Sequence, residues 1–137
     1  MKKLMIFIEG TAFHTKLQSV FFTSKAYTPI GNSIDKINEW YDNYEVILCT
    51  FRRHNLRLIR KALEFYGVRY HRLEYRRKQE SYAEVVVRVK PDLLIEDNCA
   101  SIGGVKEMCI TNVPDEIKST IQSIVVEEFQ GIDGIEL

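Results

Sequence analysis

Short apolar runs separated by stretches of helical period constrain this chain more than any other feature in it. The first, Leu4-Met5-Ile6-Phe7-Ile8, is continuous rather than alternating, as expected of a central strand covered on both faces. Further strands are predicted at 45–49, 68–73, 92–96 and 105–110. Between them apolar residues recur at helical spacing. Ile34, Ile37, Trp40, Tyr41 and Tyr44 mark a helix from Asn32 or Ser33 to Asn43, and Leu56, Ile59, Leu63 and Tyr66 mark one over 54–66, stopped by Gly67. A third helix, over 79–89, ends before Pro91. A last one opens at Pro114-Asp115-Glu116, runs to Phe129, and buries Ile117, Ile121, Ile124 and Val125. Strands alternating with helices predict an α/β protein, a three-layer α/β/α Rossmann-like domain with a five-stranded parallel sheet.

The length, 137 residues, predicts one domain over 1–137, with a flap or loop at 11–31 and a loose tail at 130–137. A small hairpin is expected in the flap around Val20-Phe21-Phe22. Hydrophobic residues at 45%, with only seven Gly and three Pro, exclude a disordered linker or a fibre and supply a core that needs no staples. Cys49, Cys99 and Cys109 are odd in number and form no C-x-x-C pair, which argues for free thiols, a reducing compartment and no structural zinc. The apolar start stops at Glu9, too early for a membrane span or a signal segment, so a cytoplasmic protein with no membrane partner is expected. Net charge is zero, yet residues 52–90 hold twelve Lys/Arg against four Asp/Glu. Acids gather near the end, in Asp115, Glu116, Glu127, Glu128, Asp133 and Glu136. A basic middle suits an anionic partner, phosphate or nucleic acid, unless it is no more than two solvated helix faces.

In open parallel sheets ligands bind beyond the carboxyl ends of the strands, so the residues just after each strand carry the chemistry. Here they are Glu9-Gly10-Thr11, Thr50-Phe51-Arg52, Glu74 to Lys78, and Glu96-Asp97-Asn98. An acid-Gly-Thr, a Thr ending the second strand, a Lys and an acidic pair, in that order along nearly the whole chain, resemble the haloacid dehalogenase (HAD) superfamily. Most of its members are phosphatases and phosphotransferases. That family's first motif reads Asp-x-Asp-Gly-Thr, matched here by Phe7-Ile8-Glu9-Gly10-Thr11.

The resemblance implies a role for each position. Glu9 would be the general acid/base, Lys78 would neutralise phosphate, and Glu96 and Asp97 would hold Mg²⁺. Gly10, Thr11, Thr50 and Phe51 would line a phosphate site with Lys78, the Thr50 hydroxyl and its backbone serving as donors. Other readings stay open: Glu9 as a carboxylate bonding its own loop amides, Thr50 as a turn residue, Lys78 as solvated charge or as the partner of one acid. Arg76 and Arg77 compete with Lys78 for the position facing the site. His14, His54 and His71 form no metal-ligand pattern, and no P-loop, dinucleotide fingerprint or nucleophile elbow occurs.

The departure is Phe7, which occupies the position of the family's nucleophilic Asp. A phenyl ring can neither attack phosphorus nor bind Mg²⁺, so the covalent route is closed and any Mg²⁺ site is weak or absent. The flap is too short for a cap domain. A capless member would close its cleft with a large partner or a second copy, and Phe13, Phe21, Phe22 and Tyr27 in the flap either cover the site, pack on that partner, or are buried against the domain's own core. Three functions follow. They are a degenerate HAD-like protein binding a phosphorylated ligand or a partner, a Mg²⁺-dependent phosphohydrolase using water activated by Glu9 or Asp97, and a nucleic-acid binder using the 52–90 segment.

Overall fold

Five strands lie in one parallel sheet: β1 (Lys3–Phe7), β4 (Glu45–Thr50), β5 (Arg72–Tyr75), β6 (Leu93–Asp97) and β7 (Gln122–Val126). Their spatial order is β5-β4-β1-β6-β7 in a computed structural model that describes residues 1–15 and 26–137. β2 (Phe13–Thr15) and β3 (Tyr27–Pro29) pair antiparallel as a small second sheet. The expected hairpin at Val20-Phe21-Phe22 lies outside the described residues.

Register explains why the strands read as unbroken apolar runs. Met5 stands beside Ile47 and Leu94, and all three face the layer formed by α3 (Tyr82–Val89) and α4 (Cys109–Asn112), through Val85, Val86, Val89 and Cys109. Their neighbours Leu4, Ile6, Val46, Leu48, Leu93 and Ile95 face α1 (Ser33–Trp40) and α2 (Leu56–Phe65). With both faces covered, the central positions of β1, β4 and β6 are buried, while the edge strands β5 and β7 are more open. Chain order reverses direction across the sheet at β1, flanked by β4 and β6, and this is where a crevice opens at the carboxyl ends.

The three-layer fold is as expected, but its last third differs from the expectation in detail. Residues 105–110, expected as a strand, form a 3₁₀ turn (Gly104–Glu107) and the start of α4. The cause is distant in sequence: both carboxylate oxygens of Glu96 accept from the first amides of α4, Cys109 N at 2.7 Å and Ile110 N at 3.0 Å. The expected long helix over 114–129 is only the single turn α5 (Asp115–Lys118), and β7 follows it. The β-branched run Ile124-Val125-Val126 pairs with Ile95, Glu96 and Asp97 of β6, so strand propensity together with an open sheet edge outweighs the helical period. The strand expected at 68–73 begins later, at Arg72, because Gly67 (φ +70°) closes α2 with Val68 N donating to the Leu63 carbonyl at 2.9 Å.

The tail is docked rather than loose. Ile132 is fully buried in the α1/α2 core, and Asp133 accepts from the Asn32 amide at 3.0 Å, just ahead of α1. Among the described residues no helix is long and apolar enough to cross a membrane.

Candidate functional site

Four loops meet at the carboxyl edge around β1, and the residues after β1 set the pattern. Gly10 adopts φ +90°, a conformation only glycine takes readily, and a side-chain carbon there would lie 2.4 Å from Asp97 Oδ2. The Gly-Thr turn is thus pressed directly against the acidic end of β6. The Thr11 hydroxyl turns back and donates to the carbonyls of Phe7 and Ile8, which closes the turn on its own strand. The Gly10 amide is also committed, donating to the Phe13 carbonyl at 2.9 Å.

Glu9 forms the centre of a closed network. Its Oε2 accepts from the Thr50 hydroxyl at 2.7 Å and from the Tyr27 hydroxyl at 3.3 Å, and its Oε1 accepts from the Phe51 amide at 3.0 Å. Arg52 Nε donates to the Tyr27 oxygen at 2.6 Å, and the Arg52 amide donates to Thr50 Oγ1 at 3.2 Å. Thr50 and Phe51, expected to hold phosphate oxygens, therefore hold the oxygens of an internal carboxylate. Burial pushes the Glu9 carboxyl above the usual range, and the three donors pull against that shift without reversing it.

The acidic pair divides. Glu96, only 3% exposed, is turned into the α3/α4 layer to cap α4, and burial raises its carboxyl. Asp97 also lines the crevice but is half-buried and turned toward the Gly10 turn. Its Oδ1 accepts from the Cys99 amide at 2.6 Å, and burial first, then the charge of Glu128, raises its carboxyl. The expected pairing of Lys78 with one of these acids does not occur. Lys78 is exposed in the loop after β5 and forms no ion pair among the described residues. The amides of α4 do for Glu96 what a lysine was expected to do.

Phe7, Phe51, Tyr82, Asp97 and Cys99 line a crevice of about 120 Å³. The Phe7 ring meets Tyr82 edge-on at 5.9 Å between centroids, so the crevice has an aromatic wall where a nucleophile was sought. Tyr82 also donates to the Phe51 carbonyl at 2.7 Å, and the Arg76 guanidinium carbon lies 5.0 Å from its ring centre. Of the three cations after β5, Arg76 is thus the one tied to the site. Tyr82 escaped the sequence reading, and of the flap aromatics Phe13 and Tyr27 are buried in the domain's own core rather than offered to a partner, while Phe21 and Phe22 lie outside the described residues. For Tyr82 a signal existed: Ser81-Tyr82-Ala83-Glu84 is a capping box, realised in α3, which places Tyr82 at the first helical position beside the crevice.

Mg²⁺ can be tested against this donor set. Phe7 offers no oxygen, both oxygens of Glu9 and of Glu96 are spent on amides and hydroxyls, and Asp97 has one oxygen committed. Mg²⁺ demands near-octahedral oxygen ligation anchored by at least one or two free carboxylates, and these residues do not fit it. Among the described residues no cluster of three or more His, Cys, Asp or Glu side chains is arranged to hold a metal ion.

No protein-family model matches the sequence, and no curated protein matches it. Solved structures of similar fold include the following two. One is a chain from the Pnkp1/Rnl/Hen1 RNA repair complex, with a TM-score of 0.63 and 15% identity over 93% of this chain and 42% of that one. The present chain therefore spans well under half the length of that protein. The other is D,D-heptose 1.7-bisphosphate phosphatase from B. bronchiseptica, complexed with magnesium and phosphate. Its TM-score is 0.53, with 13% identity over 95% of this chain and 94% of that one. At such identities the likeness is one of fold, the parallel α/β sheet and its flanking helices.

Proposed function

We propose that this chain is a small, capless HAD-like domain that receives a phosphorylated ligand at the carboxyl edge of its sheet and forms no covalent phosphoryl intermediate. The observation that carries this reading is Phe7, whose ring packs against Tyr82 in the position that the resemblance gives to the nucleophile. Loss of a nucleophile typically lowers a rate by several powers of ten. Glu9 supports the same reading, because a carboxylate already held by Thr50 and Phe51 is poorly placed to pass a proton to a leaving group. A solved structure of similar fold holds magnesium and phosphate, which favours a phosphorylated ligand here. With Thr50 and Phe51 occupied by Glu9, the counter-charge for that ligand comes from Arg76 and the exposed Arg77 and Lys78.

One observation favours a second reading: Asp97 faces the crevice with a raised carboxyl, as a base activating water would. A single assay separates the two. The protein is incubated with Mg²⁺ and a panel of phosphomonoesters and nucleotides, and thermal shift by the same compounds is recorded in parallel. Stabilisation by at least one compound without turnover is the expected result. Turnover that Asp97→Asn abolishes would establish the hydrolase and overturn the binding reading. As a further check, Phe7→Asp is expected to introduce slow turnover that the double variant Phe7→Asp/Asp97→Asn loses.

A further inference from the structure

We propose that the two loops leaving β4 and β5 form a basic rim that binds single-stranded nucleic acid, with Tyr75 as a stacking platform. This rests on the reading that phosphate groups are received at this edge, and it names the class of ligand. β4 and β5 are parallel, and their last residues, Thr50 and Tyr75, are register partners, so the loops leave the sheet side by side, about 5 Å apart. Tyr82 ties them together, stacked under Arg76 from one loop and bonded to the Phe51 carbonyl of the other.

The rim's cations are unspent. Arg53, Arg77 and Lys78 of the two loops, and Arg57 in the first turn of α2, are exposed, and neither they nor Arg76 form an ion pair among the described residues. Arg69, Arg72 and Arg88, by contrast, are matched: Arg69 with Asp42, Arg72 with Glu45 and Glu74, and Arg88 with Glu74 and Glu80. Glu74 and Glu80, the acids beside the rim, both pair with Arg88, and Glu74 pairs with Arg72 as well, so neither forms an ion pair with a rim cation among the described residues. Arg76 Nε is buried with no hydrogen-bond partner, a donor that an incoming oxygen would satisfy.

Geometry and charge together select the ligand. Cations spread over two adjacent loops exceed what one phosphate can contact, whereas a polyanion engages several and releases its counterions. Tyr75 is 39% exposed and directly precedes Arg76-Arg77-Lys78. An exposed ring among cations suits unpaired bases, whose faces are free to stack, and a duplex hides those faces.

Fluorescence anisotropy with a labelled oligo-uridine strand and a duplex of equal length, at salt from about 50 to 200 mM, tests this. The strand is expected to bind at least tenfold more tightly than the duplex, with affinity falling steeply as salt rises. Arg53→Gln/Arg77→Gln/Lys78→Gln, all exposed and safe for folding, should flatten the log–log salt slope by about 2, at about 0.7 per phosphate contact. Tyr75→Ala should weaken binding about tenfold with the slope unchanged. Lys2→Gln/Lys90→Gln, at the opposite edge of the sheet, should change nothing. Equal affinity for duplex and strand, an unaltered triple variant, or tighter binding to anionic lipid vesicles than to the strand would overturn the inference. A protein stabilised by a nucleoside monophosphate but indifferent to the strand loses this inference and keeps the reading it rests on. One that binds neither loses both.

Discussion

At the scale of single residues, the carboxyls of the site are held against their preference. Glu9, Glu96 and Asp97 all have their pKa raised, in each case chiefly by burial, so folding favours their protonated forms. A raised value makes a carboxyl's contribution to stability largest at low pH and progressively lost as pH rises through the folded-state value. Acidification from neutrality toward the ordinary glutamate value of 4.5 should therefore stabilise the protein. Below that range the gain ends, and Glu80, lowered by its bonds to Arg88, begins to lose its contribution. Urea unfolding at pH about 7.5 and about 5.5 should show greater stability at the lower pH, with a smaller difference in Glu9→Gln. A protein less stable at the lower pH would contradict this picture of the three acids. The sequence could show that acids stood at strand ends. It could not show that Glu96 would turn inward while Asp97 turned toward the Gly10 turn, because that depends on where residue 109 comes to rest.

Among elements, β1, β4, β6, α1, α2 and α3 were legible, because each shows its period locally and each ends on a local signal such as Gly67 or Pro91. Their order was also enough to place Glu9, Thr50 and Asp97 at one edge. The stretch after Asp97 was not legible. A buried carboxylate caps α4 from thirteen residues away, and β7 takes its strand form from pairing with β6, so neither segment declares itself alone. The tail escaped for the same reason. Ile132 contributes to the core and Asp133 sits at the N-terminal approach to α1, although the segment carries no period of its own. Ile132→Ala should cost about 2–4 kcal/mol through the cavity it leaves. Asp133→Ala should cost about 1 kcal/mol, close to the loss of a cap. Chemical denaturation checks both, and near-wild-type stability in Ile132→Ala would mean that the tail does not pack in solution.

On the scale of the whole molecule, the sheet's centre is sealed on both faces, and its thiols report on that seal. Cys49 is fully buried in β4, Cys109 is buried at the start of α4, and Cys99 lies partly exposed by the crevice with its thiol pushed up to about 12 by burial and by Asp97. A thiol so far from ionisation reacts slowly. Iodoacetamide at pH about 8 should label Cys99 first and slowly. Cys49 should be labelled only at the rate set by global unfolding, since no local opening uncovers a central strand. Mass spectrometry of the time course, repeated in sub-denaturing urea, tests this. Rapid labelling of Cys49 under native conditions would mean that the sheet opens without unfolding.

The segregation of charge has a consequence for approach as well as for contact. The cations flank β5 and β4 at one side of the sheet, while Asp97, Glu127 and Glu128 stand at the other, beside β6 and β7. Across five strands the two signs are some 15–20 Å apart, at about 4.8 Å per strand spacing. A molecule of zero net charge built this way has little pull on a distant anion, but it carries a dipole lying in the plane of the sheet. Within a Debye length, about 10 Å at 0.1 M salt, that dipole turns the molecule basic side first. Encounter with a polyanion is then governed by torque rather than by attraction, so dilution of salt speeds productive docking even though titration of the whole protein finds it neutral.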